Sequence, residues 1–223
     1  MQMIGIIGGN GFIGSHLVEY LEGININRDN YDSCKEIEFD IIINANGNSK
    51  KYWGDAHPFK DFDLSVLSVY KSLSDFKYNK YVYLSSVAAE TRDSPYGVNK
   101  YLAEEIIKGY CSDYSVVRLP LVIGDGSVKG LVNDVLNGDI VYLTSRSRLM
   151  VIDAEEVAMQ LYLSLQIGDL KKLERFYPSE NITVEEIGSV LDRDIRYAEV
   201  LRDEYYDYTG DFKSSKFYIN KYR

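Results

Sequence analysis

An apolar run from Met3 to Gly8 ends on glycine, and Phe12, Ile13, Leu17 and Leu21 then recur at helical spacing, which predicts a strand, a tight turn and a helix. A short strand fits Ile24 to Arg28, and Phe39 to Ala45 (FDIIINA) is apolar almost throughout, as a strand covered on both faces must be. Phe62 to Phe76 places Leu64, Leu67, Tyr70, Leu73 and Phe76 on one helical face, and Lys80 to Ser86 (KYVYLSS) is strand-like again. Ser94 and Pro95 supply an N-cap and a first-turn proline for a helix to about Cys111, and a strand follows at Ser115 to Leu119. Strands alternating with helices predict an α/β chain with a doubly wound, Rossmann-like parallel sheet.

Beyond Gly124 the pattern loosens. The GDGSVKG stretch is loop-like, Leu131 to Leu136 is helical, Asp139 to Leu143 is a short strand, and helical periodicity returns at Asp153 to Ile167 and at Thr183 to Leu191 after an N-cap region at Ile182 and Thr183. The division expected from this is a core over residues 1–125 and a small substrate lobe over 126–223, interleaved with returning core elements. The last twenty residues, rich in Tyr, Asp, Lys and Ser, fit either a docked extension or a mobile tail. No internal repeat or low-complexity linker marks a boundary.

Composition narrows the function classes. With 223 residues, 45% of them hydrophobic, the chain can bury a sizeable core, and its net charge of −9 opposes nucleic-acid binding, which depends on Lys and Arg neutralising phosphates. No run of apolar residues is long enough to span a membrane and no secretory signal opens the chain, so a cytoplasmic location without membrane contact is expected. Cys34, Cys111, His16 and His57 have no metal-ligand spacing, and no metal site is expected.

Two constellations carry chemistry. Gly8, Gly11 and Gly14 form a G-x-x-G-x-x-G turn between the first strand and helix, where bare backbone and a helix N-terminus suit a dinucleotide pyrophosphate. Near the end of the second strand lie Arg28 and Asp29. An acid there accepts bonds from the ribose of NAD and an arginine pairs with the 2′-phosphate of NADP, so the order favours NADP, while two solvated loop charges remain the plain alternative. Tyr96 and Lys100 leave one face of a predicted helix, and a nearby ammonium is expected to lower the phenol's pKa and make Tyr96 a usable acid/base. That helix follows the strand ending in Ser85 and Ser86.

Together these segments resemble the extended short-chain dehydrogenase/reductases, also called NAD-dependent epimerase/dehydratases, in shortened form. GGNGFIG, FDIIINANG, KYVYLSS, SPYGVNK, VVRLPLVIGDG and RLMVIDAEEVA come in family order over roughly residues 3–165, and ITVEEIGSVL is similar to a later family segment. The resemblance implies a cofactor, NAD or NADP, held by Gly8, Gly11, Phe12, Ile13, Gly14, Arg28, Asp29, Ala45, Tyr96 and Lys100. It implies Tyr96 as acid/base, Lys100 as the group that binds the nicotinamide ribose and depresses the tyrosine pKa, and a hydroxyl from Ser86 or Ser85 on the reacting oxygen. Ser86, Val87, Arg118, Leu121 and Arg148 would meet the substrate, a nucleotide-linked sugar in many relatives. Ser65 and Leu121 stand where many relatives carry asparagine. The same resemblance implies a homodimer built on helices spanning Asp61 to Phe76 and Tyr96 to Cys111. The expected reaction is keto reduction or epimerisation of a sugar, and the rival is a non-catalytic NAD(P)-binding sensor or scaffold.

Overall fold

The computed structural model describes residues 2–127 and 130–223; Val128 and Lys129 of the expected GDGSVKG loop lie outside the described residues. The chain divides into two compact units, residues 1–118 with 158–174 and residues 119–157 with 175–223.

In the first unit β1 (Ile4–Ile7) leads through the glycine turn into α1 (Phe12–Leu21), then β2 (Ile24–Ile26), α2 (Tyr31–Cys34) and β3 (Glu38–Asn44). Two short helices, α3 (Lys51–Ala56) and α4 (Pro58–Phe62), precede a π-helical turn at Asp63–Leu67 and α5 (Ser68–Asp75). They are followed by β4 (Lys77–Ser86), α6 (Ala88–Thr91), α7 (Pro95–Tyr110) and β5 (Tyr114–Leu119). Within α7 the expected cap holds: the Ser94 hydroxyl accepts from the Gly97 N–H at 3.3 Å, with Pro95 in the first turn.

The helix over Phe62 to Phe76 departs from expectation. Leu64, Leu67 and Tyr70 are about half exposed, and the inward face is instead Ser65, Val66, Val69, Ser72 and Leu73. Leu64, Leu67 and Tyr70 step strictly by three and so drift off one face of a 3.6-residue helix, whereas Val66, Val69, Leu73 and Phe76 keep the three-four spacing of a buried stripe. The buried hydroxyls are satisfied, Ser65 by Asp61 at 3.3 Å and Ser72 by the Tyr81 hydroxyl at 2.6 Å.

The second unit contains β6 (Leu121–Ile123), α8 (Leu131–Asn137), β7 (Ile140–Leu143), β8 (Arg148–Leu149) and β9 (Val151–Asp153). Next come α9 (Ala154–Ile167), most of which counts with the first unit, and β10 (Leu173–Arg175). The second unit closes with β11 (Ile182–Thr183), α10 (Val184–Leu191), β12 (Arg196–Arg202) and α11 (Ser215–Ile219). A capping box between Thr183 and Glu186 starts α10 where the sequence placed its N-cap. Small strand pairs organise this unit: β6 with β9 and β7 with β12, both parallel, and β8 antiparallel to β11. The terminal segment is docked, with Ser215, Tyr218 and Ile219 fully buried and the Tyr222 hydroxyl donating to Asp153 at 2.9 Å.

One six-stranded sheet has the order β10-β5-β4-β3-β1-β2, and its β2–β1, β1–β3 and β3–β4 pairs are parallel. From β1 the chain goes to β2 on one side and crosses to β3 on the other, so the topological switch point lies between β1 and β3. In an open α/β sheet the carboxyl ends of these strands border a ligand crevice, and the chain's glycine turn is there.

Candidate active site

The turn after β1 is tight because its backbone meets itself. A Cβ on Gly14 would fall 2.1 Å from the Gly8 carbonyl oxygen, and Gly8 has a φ of +83°, which side-chain-bearing residues rarely adopt. Gly8 also abuts the segment after β3: its Cβ would lie 3.1 Å from the Asn46 backbone, and the Ala45 N–H donates to Ile7 at 2.9 Å. Gly11 is the N-cap of α1, no side chain caps it, and no acid occupies the first turn. Phe12 and Ile13 form that turn and are half-buried, Phe12 edge-on to His16. A backbone cradle under an uncapped helix start therefore fits a pyrophosphate.

Arg28 and Asp29 stand in the exposed turn after β2, two and three residues past its last residue. Asn27 comes first, and its side-chain oxygen accepts the Asp29 N–H at 2.9 Å. Both charges are free to reach a ribose or its phosphate.

At the carboxyl end of β4 the Ser86 hydroxyl accepts the Ala88 N–H at 3.3 Å and lies near enough to the Tyr96 hydroxyl to favour its ionised form. Asp55 of α3 accepts the Tyr96 N–H at 3.1 Å and so holds the start of α7. Lys100 is buried one turn further on, with its Nζ 3.4 Å from the Tyr83 hydroxyl and 5.8 Å from the Tyr96 ring centre.

The expectation that Lys100 lowers the Tyr96 pKa is corrected. Burial pushes the phenol well above its ordinary value; the nearby Ser86 hydroxyl opposes this, while the charges of Asp61 and Asp55 add to it. Lys100 is itself pushed down to about 8 by burial, against the pull of Asp61 and Glu104. In this arrangement the ammonium is directed at Tyr83, and low dielectric governs the tyrosine.

Ser85 points elsewhere. Its hydroxyl donates to Glu104, whose carboxylate takes the Arg118 guanidinium in a two-point pair at 2.9 and 2.6 Å. A second carboxylate, Glu90, pairs with the other Arg118 nitrogen. Ser85, Glu104 and Arg118 are buried, so Arg118, expected to border the substrate, has its charge met within the first unit. Val87 follows Ser86 and is buried. Leu121 and Arg148 belong to the second unit, where Leu121 is half-buried in β6 and Arg148 is largely exposed, 3.4 Å from Asp207.

Sequence reasoning missed a buried cluster beside Tyr96 and Lys100. Asp61 is fully buried and accepts from Asn48 and Asn99 at 2.8 Å each and from Ser65 at 3.3 Å. Asn99 had a signal, since it lies next to Lys100 and one turn from Tyr96 on the buried face of α7. So did Glu104, four residues after Lys100 on that face. Asp61 had none: beside Asp63 and Lys60 it reads as an ordinary solvated helix charge.

No family model and no curated protein matches the chain. Solved structures do. MoeE5 in complex with UDP-glucose and NAD superposes with a TM-score of 0.79 at 17% identity, over 97% of this chain and 92% of that one. A dTDP-4-dehydrorhamnose reductase from Bacillus anthracis in complex with NADP gives 0.79 at 15%, over 100% and 98%. This chain has their fold. A UDP-N-acetylglucosamine 4-epimerase from Methanobrevibacter ruminantium gives 0.76 at 17%, over 99% and 97%. The shared fold bears out the Rossmann-like sheet and the resemblance read from the motifs. Among the described residues no helix is long and apolar enough to cross a membrane, and no cluster of three His, Cys, Asp or Glu could hold a metal.

Proposed function

We propose that this protein is an NAD(P)-dependent enzyme that reduces or epimerises a nucleotide-linked sugar, with Tyr96 as its acid/base. One observation carries the reading: the Ser86 hydroxyl lies near enough to the Tyr96 phenol to favour its ionised form, with Lys100 one helical turn away, at the carboxyl end of a sheet strand. A nicotinamide, when bound, supplies or takes the hydride at the substrate carbon. Ser86 holds the substrate oxygen while Tyr96 moves its proton, and Val87 shapes the wall beside them. Gly8, Gly11, Phe12, Ile13 and Gly14 bind the pyrophosphate, with Ala45 beneath the nicotinamide. Arg28 favours NADP over NAD, Asp29 is the ribose acceptor if NAD is used, and Leu121 and Arg148 remain proposed substrate contacts. Solved structures of this fold support this reading, because their own ligands are NAD, NADP and UDP-sugars.

Fluorescence titration with NADPH and NADH, followed by turnover with a panel of nucleotide-linked keto sugars, tests it. Preferred NADPH binding with net consumption supports reduction; a retained dinucleotide with sugar conversion but no net consumption supports epimerisation. Failure of both dinucleotides to bind ends the proposal.

A second copy of the chain is proposed as the partner. Leu64, Leu67 and Tyr70 are exposed beside Val98, Leu102 and Tyr110 of α7, and the Tyr70 and Tyr110 rings meet edge-on at 6.1 Å. Such an outward apolar stripe on two helices fits a helical dimer interface. Sedimentation is expected to show a dimer that Leu67→Glu converts to a monomer, and a monomeric wild type would reject the assembly.

A further inference from the structure

We propose that Asp61 is a positioning residue that holds the Tyr96/Lys100 pair in its fully protonated form, so that the site rests ready to give a proton rather than take one. This builds on the reading of Tyr96 as acid/base given above, and it concerns a residue that none of the motifs includes.

The geometry is specific. Asp61 has no exposed surface, and the donors that satisfy it, the amides of Asn48 and Asn99 and the Ser65 hydroxyl, are neutral. They solvate the carboxylate in place of water while leaving its charge to act on its neighbours. Gly54 of α3 makes the approach to the tyrosine feasible: a Cβ there would lie 3.1 Å from both Asp61 Cγ and Tyr96 Cδ2. On the other side Asn99 connects Asp61 to α7 one residue before Lys100.

The other charged groups facing the pair differ from Asp61 in kind. Asp55 of α3 is matched by Lys51 at 3.1 Å, and Glu104 of α7 is matched by Arg118. Tyr83 of β4, which receives Lys100, is buried and its hydroxyl is held neutral by burial first, with Tyr96, Glu104 and Asp61 adding to the effect. Asp61 opposes a second negative charge on Tyr96 and supports the positive charge on Lys100, and both effects favour the bound proton.

In the reducing direction the consequence is direct. The carbonyl carbon gains a hydride from a reduced nicotinamide, the C=O π electrons move to oxygen, and that oxygen takes the phenolic proton of Tyr96. A tyrosinate remains until solvent returns the proton, and the Lys100 cation, directed at Tyr83 and 5.8 Å from the Tyr96 ring centre, offsets part of that charge across the site. Because Lys100 titrates near pH 8, its cation is present below that pH and is lost as pH rises through it.

The test is the titration of Lys100 itself, followed by NMR in 13Cε-lysine-labelled protein and assigned through Lys100→Met. Asp61→Asn is expected to lower the Lys100 pKa by about one unit or more, which at pH 8 takes the protonated fraction from about one half to about one tenth. The double variant Asp61→Asn/Asn99→Asp moves the carboxylate across the hydrogen bond and is expected to restore most of that shift. An unchanged Lys100 titration in folded Asp61→Asn overturns the proposal. If Asp61→Asn alone does not fold, the double variant decides: a near wild-type Lys100 supports the proposal and a pKa lowered by a unit overturns it. Where turnover is found, the alkaline limb of reduction should move down by the same amount in kcat rather than KM. The titration needs no substrate, so its failure is distinguishable from failure of the functional reading, which would show as no dinucleotide binding with Lys100 still responding to Asp61.

Discussion

Tyr96→Phe is expected to reduce turnover by about 10²–10⁴-fold, the range a positioned proton donor contributes, while leaving dinucleotide affinity unchanged. The reason lies in how little else the substitution touches. Tyr96 is buried, its ring packs beside Gly54 of α3, and its N–H is held by Asp55; phenylalanine keeps all of these and deletes one oxygen. The Ser86 hydroxyl still accepts from the Ala88 N–H, so the strand end stays in place. The pyrophosphate cradle at Gly8 to Gly14 does not involve the phenol. A loss that appears in kcat, with unaltered NADPH titration, identifies Tyr96 as the proton donor. Unaltered turnover would remove it from that role, and a protein that binds dinucleotide but never turns over with either residue would fit the sensor reading.

What the sequence revealed and concealed follows from range. The glycine turn, the Ser94 and Thr183 caps and the Tyr96/Lys100 spacing are local chemistry, written within a few consecutive residues, and each is found where it was read. The apolar face of the helix after Phe62 was misread because Leu64, Leu67 and Tyr70 step by three and turn away from the face of Leu73 and Phe76, which Val66 and Val69 share at three-four spacing. The direction of the Tyr96 shift was misread for a different reason. Sequence spacing supplies the ammonium, but the desolvation that outweighs it and the carboxylate of Asp61 come from elements assembled only in the fold. Ser85 and Ser86 could not be separated by position alone; alternation along β4 sends one toward Glu104 and the other toward Tyr96.

The second large effect falls on stability. Arg118→Met is expected to destabilise the first unit by about 3–5 kcal/mol, because it leaves the Glu104 carboxylate buried with only the Ser85 hydroxyl as a close donor. At about 2–4 °C per kcal/mol for a chain of this size, the midpoint in a circular-dichroism melt should fall by roughly 6–20 °C. Burial works against the Arg118 charge, but its bonds to Glu104 and Glu90 outweigh that and raise its pKa, so the guanidinium stays charged throughout the accessible pH range. The double variant Glu104→Leu/Arg118→Met removes both buried charges and is expected to be more stable than Arg118→Met alone, since Glu90 keeps some exposure and can turn to water. This comparison separates two roles for one arginine. If Arg118 served mainly to contact substrate, Arg118→Met would raise KM with the melt shifted by less than about 0.5 kcal/mol. If the triad with Glu104 and Glu90 is its purpose, the melt collapses first, and the double variant recovers stability because the arginine was there to answer a buried carboxylate that the chain itself supplies.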